Sequence, residues 1–264
     1  SGAALEVPVL TLTRQGGSVA IAEGPVTRAR PVTLQLGAPA AAAFRASEDP
    51  TFQDPALGDT TGSRPYRGPG TTEPFTLSDR EGEHVVHVVF LDATGGASAP
   101  SSAAIVLDRV APTAPAVAVN GGAAFTGAAT VALTLSAQDL APAAGVAVSG
   151  LARMELADNA AFAGAVLLDY NLAHTWTLTG ADGLKSVYAR FYDRAGNRSS
   201  EAVALVTLDR VEPQAASVAL SGGPGVPAGT ASSPLVTAAL SADDANEGAG
   251  KQDLQVRLSN TPGF

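Results

Sequence analysis

The 264-residue sequence has no cysteine, one methionine and one tryptophan, and aromatic residues make up only 5% of it. Without thiols there is neither a disulfide framework nor a thiolate metal site. That absence suits an exported bacterial protein as well as a cytosolic one. No apolar run approaches the roughly 20 residues that cross a bilayer as a helix. The opening residues, Ser1-Gly2-Ala3-Ala4, lack the charged segment and apolar core of an export signal, so any such signal is expected to be removed or to lie outside this sequence. Positive charge is also scarce. Sixteen Lys and Arg against 25 Asp and Glu leave a net charge of −9, which excludes the electrostatic footprint of a nucleic-acid binder and gives no attraction to anionic membranes. What is plentiful is turn chemistry. The 28 Gly and 18 Pro are dispersed through a chain that is 45% hydrophobic, much of it Ala and Val, as expected for many turns and few long helices.

The chain is organised around Val187 to Pro213, which reads VYARFYDRAGNRSSEAVALVTLDRVEP. Val187, Ala189 and Phe191 fall on one face of an extended segment, and Tyr188, Arg190 and Tyr192 on the other. Asp193, Gly196 and Asn197 are turn residues, suited to a side-chain-bonded turn with one position at positive φ. A second alternation, Ala202 to Leu208, closes a hairpin. The segment from Val86 to Pro112, 101 residues earlier, aligns without a gap and matches at 11 of 27 positions, among them Phe90, Asp92, Gly95, Ser98, Leu107, Asp108, Arg109 and Pro112. The chain is therefore a tandem repeat.

Three units follow, at 1–110, 111–211 and 212–264. In the second, alternating runs are expected as strands at Pro115–Asn120, Thr130–Ala137, Leu151–Ala157, Ala165–Tyr170, Thr175–Thr179, Val187–Tyr192 and Ala202–Leu208, the first two joined through Gly121-Gly122. Seven short, turn-bounded runs in about 100 residues describe a two-sheet antiparallel sandwich. In the first unit the expected strands are Val9–Thr13, Val19–Ala22, Val32–Leu36, Ala42–Ala46, Phe75–Leu77, Val85–Leu91 and Ala103–Leu107. Glu48 to Thr72 is expected to be an irregular loop. The third unit offers Ala216–Leu220, Leu235–Leu240 and Leu254–Leu258 and then stops, so its missing strands are expected from further polypeptide or from another molecule.

The motifs Trp176-Thr-Leu178, Gly183-x-Lys185-x-Val187-Tyr-Ala-Arg-Phe191, Asp193-x-Ala-Gly-Asn197, Leu208-Asp209…Pro213 and Arg257-Leu-Ser-Asn260…Phe264 resemble bacterial immunoglobulin-like repeats of large secreted and cell-surface proteins, including adhesins. The resemblance spans the second unit and the available part of the third. It is weaker in the first, where Phe75 stands for the Trp and Gly96 for the Asn. It implies an all-β fold of tandem immunoglobulin-like antiparallel sandwiches, an extracellular or cell-surface location, and other copies or further repeats of the same protein as partners. The function it implies is a non-enzymatic stalk, spacer or filament segment. A polysaccharide- or protein-binding module, or accessory domains of a larger secreted enzyme, remain as alternatives, with a surface glycan or protein as the ligand.

Side chains that could carry chemistry are few. His84 and His87 point to opposite faces of one strand and read as surface residues. His174 has no nucleophile in a recognisable motif beside it, and Gly223-Pro-Gly225 lacks the donors of a phosphate loop. Asn197-Arg-Ser199 matches a glycosylation sequon by coincidence. Trp176 and Phe75, each with a Leu two positions on, read as core anchors, with Trp176 expected between the two sheets. Tyr188 and Tyr192 are the candidates for an exposed binding stripe, and cross-strand packing explains them equally well. The carboxylates form the one constellation. Asp139 after the second strand, Asp193 after the sixth and Asp108 in the incoming linker are expected at one end of the sandwich, where three oxygen donors suit calcium. Asp209, Asp243 and Asp244 would play the same parts at the next junction. The resemblance supports such calcium junctions, since some adhesins of similar repeats have them. Against it stand the absence of a D-x-D-x-D-G loop and an adequate local task for Asp193, capping its own turn.

Overall fold

The structure, a computed structural model, describes residues 9–14, 26–38, 41–68, 71–212, 214–221, 230, 236–243 and 258. Every regular element among them is a strand. The first group is β1 (Val9–Arg14), β2 (Val26–Thr27), β3 (Pro31–Gly37), β4 (Ala43–Ser47), β5 (Arg64–Pro65), β6 (Thr71–Thr76), β7 (Gly82–Leu91) and β8 (Ser101–Leu107). The second is β9 (Thr113–Val119), β10 (Phe125–Thr126), β11 (Thr130–Gln138), β12 (Leu151–Ala157), β13 (Val166–Asp169), β14 (Ala173–Thr177), β15 (Gly183–Asp193) and β16 (Ala202–Leu208). β17 (Gln214–Ser221) and β18 (Thr237–Asp243) follow as an antiparallel pair.

Both groups pair in the same order. A three-stranded sheet, β1-β3-β6, packs on a five-stranded one, β2-β8-β7-β4-β5, and β14-β11-β9 packs likewise on β10-β16-β15-β12-β13. The two-residue strands β2 and β10 run parallel to β8 and β16, the last strand of each group, and the remaining pairings are antiparallel. The described residues thus form two tandem antiparallel sandwiches of the immunoglobulin-like class, followed by the β17–β18 pair.

Period-two alternation builds each core. Val131, Leu133 and Leu135 of β11 and Val187, Ala189 and Phe191 of β15 are buried and face each other across the second sandwich. Val32, Leu34, Leu36, Val86, Val88 and Phe90 do the same in the first. Each such large apolar side chain contributes about 1.5–3 kcal/mol on leaving water. The repeat is kept in detail. Phe90 N–H donates to Ser98 Oγ and, 101 residues on, Phe191 N–H donates to Ser199 Oγ.

Several expectations need correction. His84 is fully buried, not a surface residue, because it shares its phase with Val86, Val88 and Phe90. Trp176 is only partly buried, since it lies on β14, the edge of the three-stranded sheet, and packs against the core from the rim. Gly121 and Gly122 do make a positive-φ turn, but the chain then visits the other sheet as β10 before returning as β11. The described part of the 48–72 segment is irregular apart from β5 and the start of β6 at Thr71. The Val19–Ala22 run and most of Leu254–Leu258 lie outside the described residues. On the β17–β18 pair, Leu220 and Leu240 are 57% and 42% exposed, whereas their counterparts Val119 and Leu135 are buried in the second sandwich.

Candidate metal centre

Three elements deliver one carboxylate each to the junction between the sandwiches. β8 ends with Leu107 buried in the first core, so Asp108 is the first residue outside it, and its N–H donates to Thr27 O. β11 ends in a bulge between Ser136 and Gln138 that turns Asp139 towards the same place. β15 ends at Asp193, opposite Leu151, where another bulge breaks the register. One carboxylate oxygen from each of the three lies within 4.8 Å of the others. Asp108 and Asp193 are 2% and 0% exposed.

Backbone donors hold the carboxylates in place. Asp108 accepts from Val110 N–H and, across the junction, from Ser149 N–H at 2.7 Å. Asp139 Oδ2 accepts from Gly150 N–H at 2.6 Å, while its Oδ1 is buried without a hydrogen-bond partner among the described residues. Asp193 accepts from Asn197 twice, through N–H and Nδ2. It therefore caps its own turn, where Gly196 has φ 87°, while also facing the other two acids. Burial pushes the Asp193 carboxyl up to about 6, with Asp108 and Asp139 adding to the rise against the pull of the Asn197 bonds. Burial and then the Asp108 charge raise Asp139 as well.

Further contacts that the sequence reading left out of the site complete the junction. Asn197 Nδ2 donates to Asp108 O at 2.8 Å, Arg28 Nη1 donates to Gly196 O at 2.8 Å, and the Val146 side chain and Ala147 backbone lie over Gly82 of β7. Asn197 carried a turn signal only, and nothing local to Arg28 or Val146 marks a contact so distant in sequence.

No family model matches the chain, and no curated protein matches it. Among solved structures it is similar to the fibronectin(III)-like modules of Clostridium thermocellum CbhA, at 12% identity and TM-score 0.42, covering 76% of this chain and 94% of that one. It is similar also to a structure concerned with host cell-surface retention of a 1.5-MDa bacterial ice-binding adhesin (12% identity, TM-score 0.39, 85% of this chain and 71% of that one). A third likeness is to the FN1–FN3 domains of chicken CNTN1 (11%, TM-score 0.37, 70% and 65%). At these values the likenesses carry no functional argument, and the fold rests on the strand pairing itself.

The other candidate residues are placed as follows. Asp209 repeats the linker geometry of Asp108, accepting from Val211 N–H while its own N–H donates to Thr126 O. Asp243 ends β18, and Asp244 lies outside the described residues. Tyr188 and Tyr192 are both partly buried on the outer face of the five-stranded sheet. Tyr188 meets Phe162 edge-on, and Tyr192 Oη donates to Glu155 Oε2 at 2.7 Å, beside Arg190, which stacks on Phe162.

Proposed function

We propose that this chain is a segment of a semi-rigid, non-enzymatic rod of sandwich modules, serving outside the cell as a stalk or spacer of an adhesin-type surface protein, with a calcium ion setting the first junction. The observation that carries the reading is the convergence of Asp108, Asp139 and Asp193 where the two sandwiches meet, with a buried, unpartnered oxygen on Asp139. Hard carboxylate oxygens at a shared point suit a hard divalent cation. The linker supports stiffness independently. Arg109 is clamped by Glu81 and Asp79, and Arg210 by Asp182, so each linker leaves its own sandwich in a fixed direction. Further repeats or other copies of the same protein are the partners this reading implies. Reading Tyr188 and Tyr192 as a glycan- or protein-binding stripe has less support, because Tyr192 is already bonded to Glu155 and Tyr188 packs on Phe162.

Calcium added to the full chain after chelation should raise the melting temperature, because a ligand of the folded state stabilises it in proportion to occupancy. It should also narrow the range of interdomain distances in small-angle scattering. Asp139→Asn should abolish both responses while leaving the calcium-free melting temperature unchanged or higher. A melting curve and scattering profile indifferent to calcium and chelator would remove the cation from the proposal.

A further inference from the structure

The first sandwich contains a buried pair of titratable side chains that the junction does not use. His84 is fully buried on β7, and the Glu48 side chain beside it is 3% exposed. His84 Nδ1 lies 2.9 Å from Glu48 Oε2, and its Nε2 lies 3.0 Å from Arg80 O. A carbonyl oxygen can only accept, so Nε2 carries a proton. Glu48 is placed to accept as well. Its Oε1 takes Ser78 N–H at 2.6 Å, and its Oε2 takes Ser78 Oγ–H at 2.8 Å. The Arg80 guanidinium stands 3.8 Å from the same Oε2. Burial alone would raise the Glu48 carboxyl, but the bonds from His84 and Ser78 outweigh it and hold Glu48 below the ordinary carboxylate range. An ionised Glu48 requires Nδ1 to carry a proton too.

We propose that His84 is held as the doubly protonated imidazolium in the folded first sandwich, and that this buried pair with Glu48 is the latch fastening the 48–63 loop to the β6–β7 turn. Glu48 is the first residue of that loop, and its N–H donates to Leu57 O, so its carboxylate anchors the fold of the segment behind it. On the other side Ser78 and Arg80 belong to the turn. The groups facing the ring are the Glu48 carboxylate from the loop and the Arg80 carbonyl from the turn, with the Arg80 guanidinium on the same Glu48 oxygen, while β8 places apolar Ile105 opposite. Removing either ring proton leaves a buried nitrogen lone pair against an oxygen acceptor, and the latch opens.

Nitrogen NMR of the imidazole rings in the full chain at about pH 7.5 tests this, with His87 and His174 as references in the same spectrum. Both His84 ring nitrogens should resonate as protonated, with slowly exchanging N–H signals. A His84 nitrogen in the unprotonated position would overturn the proposal. In Glu48→Gln, which keeps the shape and removes the charge, one His84 nitrogen should lose its proton. Amide exchange over residues 49–60 should then quicken roughly a hundredfold, as for a buried pair losing one partner. Unchanged exchange in a folded Glu48→Gln chain would also overturn it. If that variant does not fold, the wild-type ring spectrum decides alone.

Discussion

Asp193 accepts from Asn197 through both its oxygens while standing within 4.8 Å of the acids Asp108 and Asp139. That placement gives the junction a definite pH response. A carboxyl raised from 3.8 to about 6 binds its proton more tightly folded than unfolded. Its contribution is therefore fully present below about pH 4 and is lost as the pH rises through about 6. Glu48 and Glu155 are lowered instead, Glu155 against burial by its bonds from Arg190 and Tyr192. Their contributions are present above the ordinary glutamate value and fade only as the pH falls below it. Between about pH 5 and 7.5 the raised acids dominate, so without divalent ions the melting temperature should be higher at the lower pH. Saturating calcium should flatten or reverse that order, because the cation needs the ionised carboxylates. A calcium-free melting temperature that falls steadily from pH 7.5 to 5 would contradict the placement of the three acids. The sequence made this cluster legible because each acid ends an element whose direction the alternation fixes. It did not reveal the Glu48–His84 pair, whose members lie 36 residues apart and meet only once the sheets are stacked.

Strand phase was the most readable property, and its misreading at His84 is instructive. Counting back by twos from Phe90 through Val88 and Val86 reaches His84, so the pattern itself placed the ring inside; its polarity suggested otherwise. β2, β5 and β10 were invisible for a different reason. Two residues cannot display a period, and their pairing is set by the neighbouring strand. Trp176 shows the limit of reading burial from alternation. Its face is correct, but an edge strand covers a side chain on one flank only. Trp176→Ala should accordingly cost about 2 kcal/mol, and Phe191→Ala, fully buried on the central strand β15 with Tyr170 edge-on to its ring, about 3–5 kcal/mol. Chemical denaturation of the two variants measures both. Equal losses would mean that the rim of the second core is as tightly enclosed as its centre.

At the scale of the molecule the repeat does not say how neighbouring sandwiches touch. Gly82 decides part of that. It sits at φ 99°, and a Cβ there would come within 3.0 Å of Val146 Cγ1 on the next sandwich. Gly82→Val should therefore displace the 140–150 loop and loosen the junction, broadening the interdomain distance distribution in scattering while each sandwich keeps its fold. A distribution identical to that of the unaltered chain would show that the contact is incidental.

The short parallel pairs β2–β8 and β10–β16 acquire a further meaning when the chain is pulled from its ends. In each sandwich an early strand lies beside the last one and runs the same way, joined by bonds such as Thr207 N–H to Ala124 O and Asp209 N–H to Thr126 O. Tension draws such neighbours past each other lengthwise. The bonds between them are then strained together in shear instead of being peeled open in turn, so the clasp that closes each module also lies in its path of mechanical load.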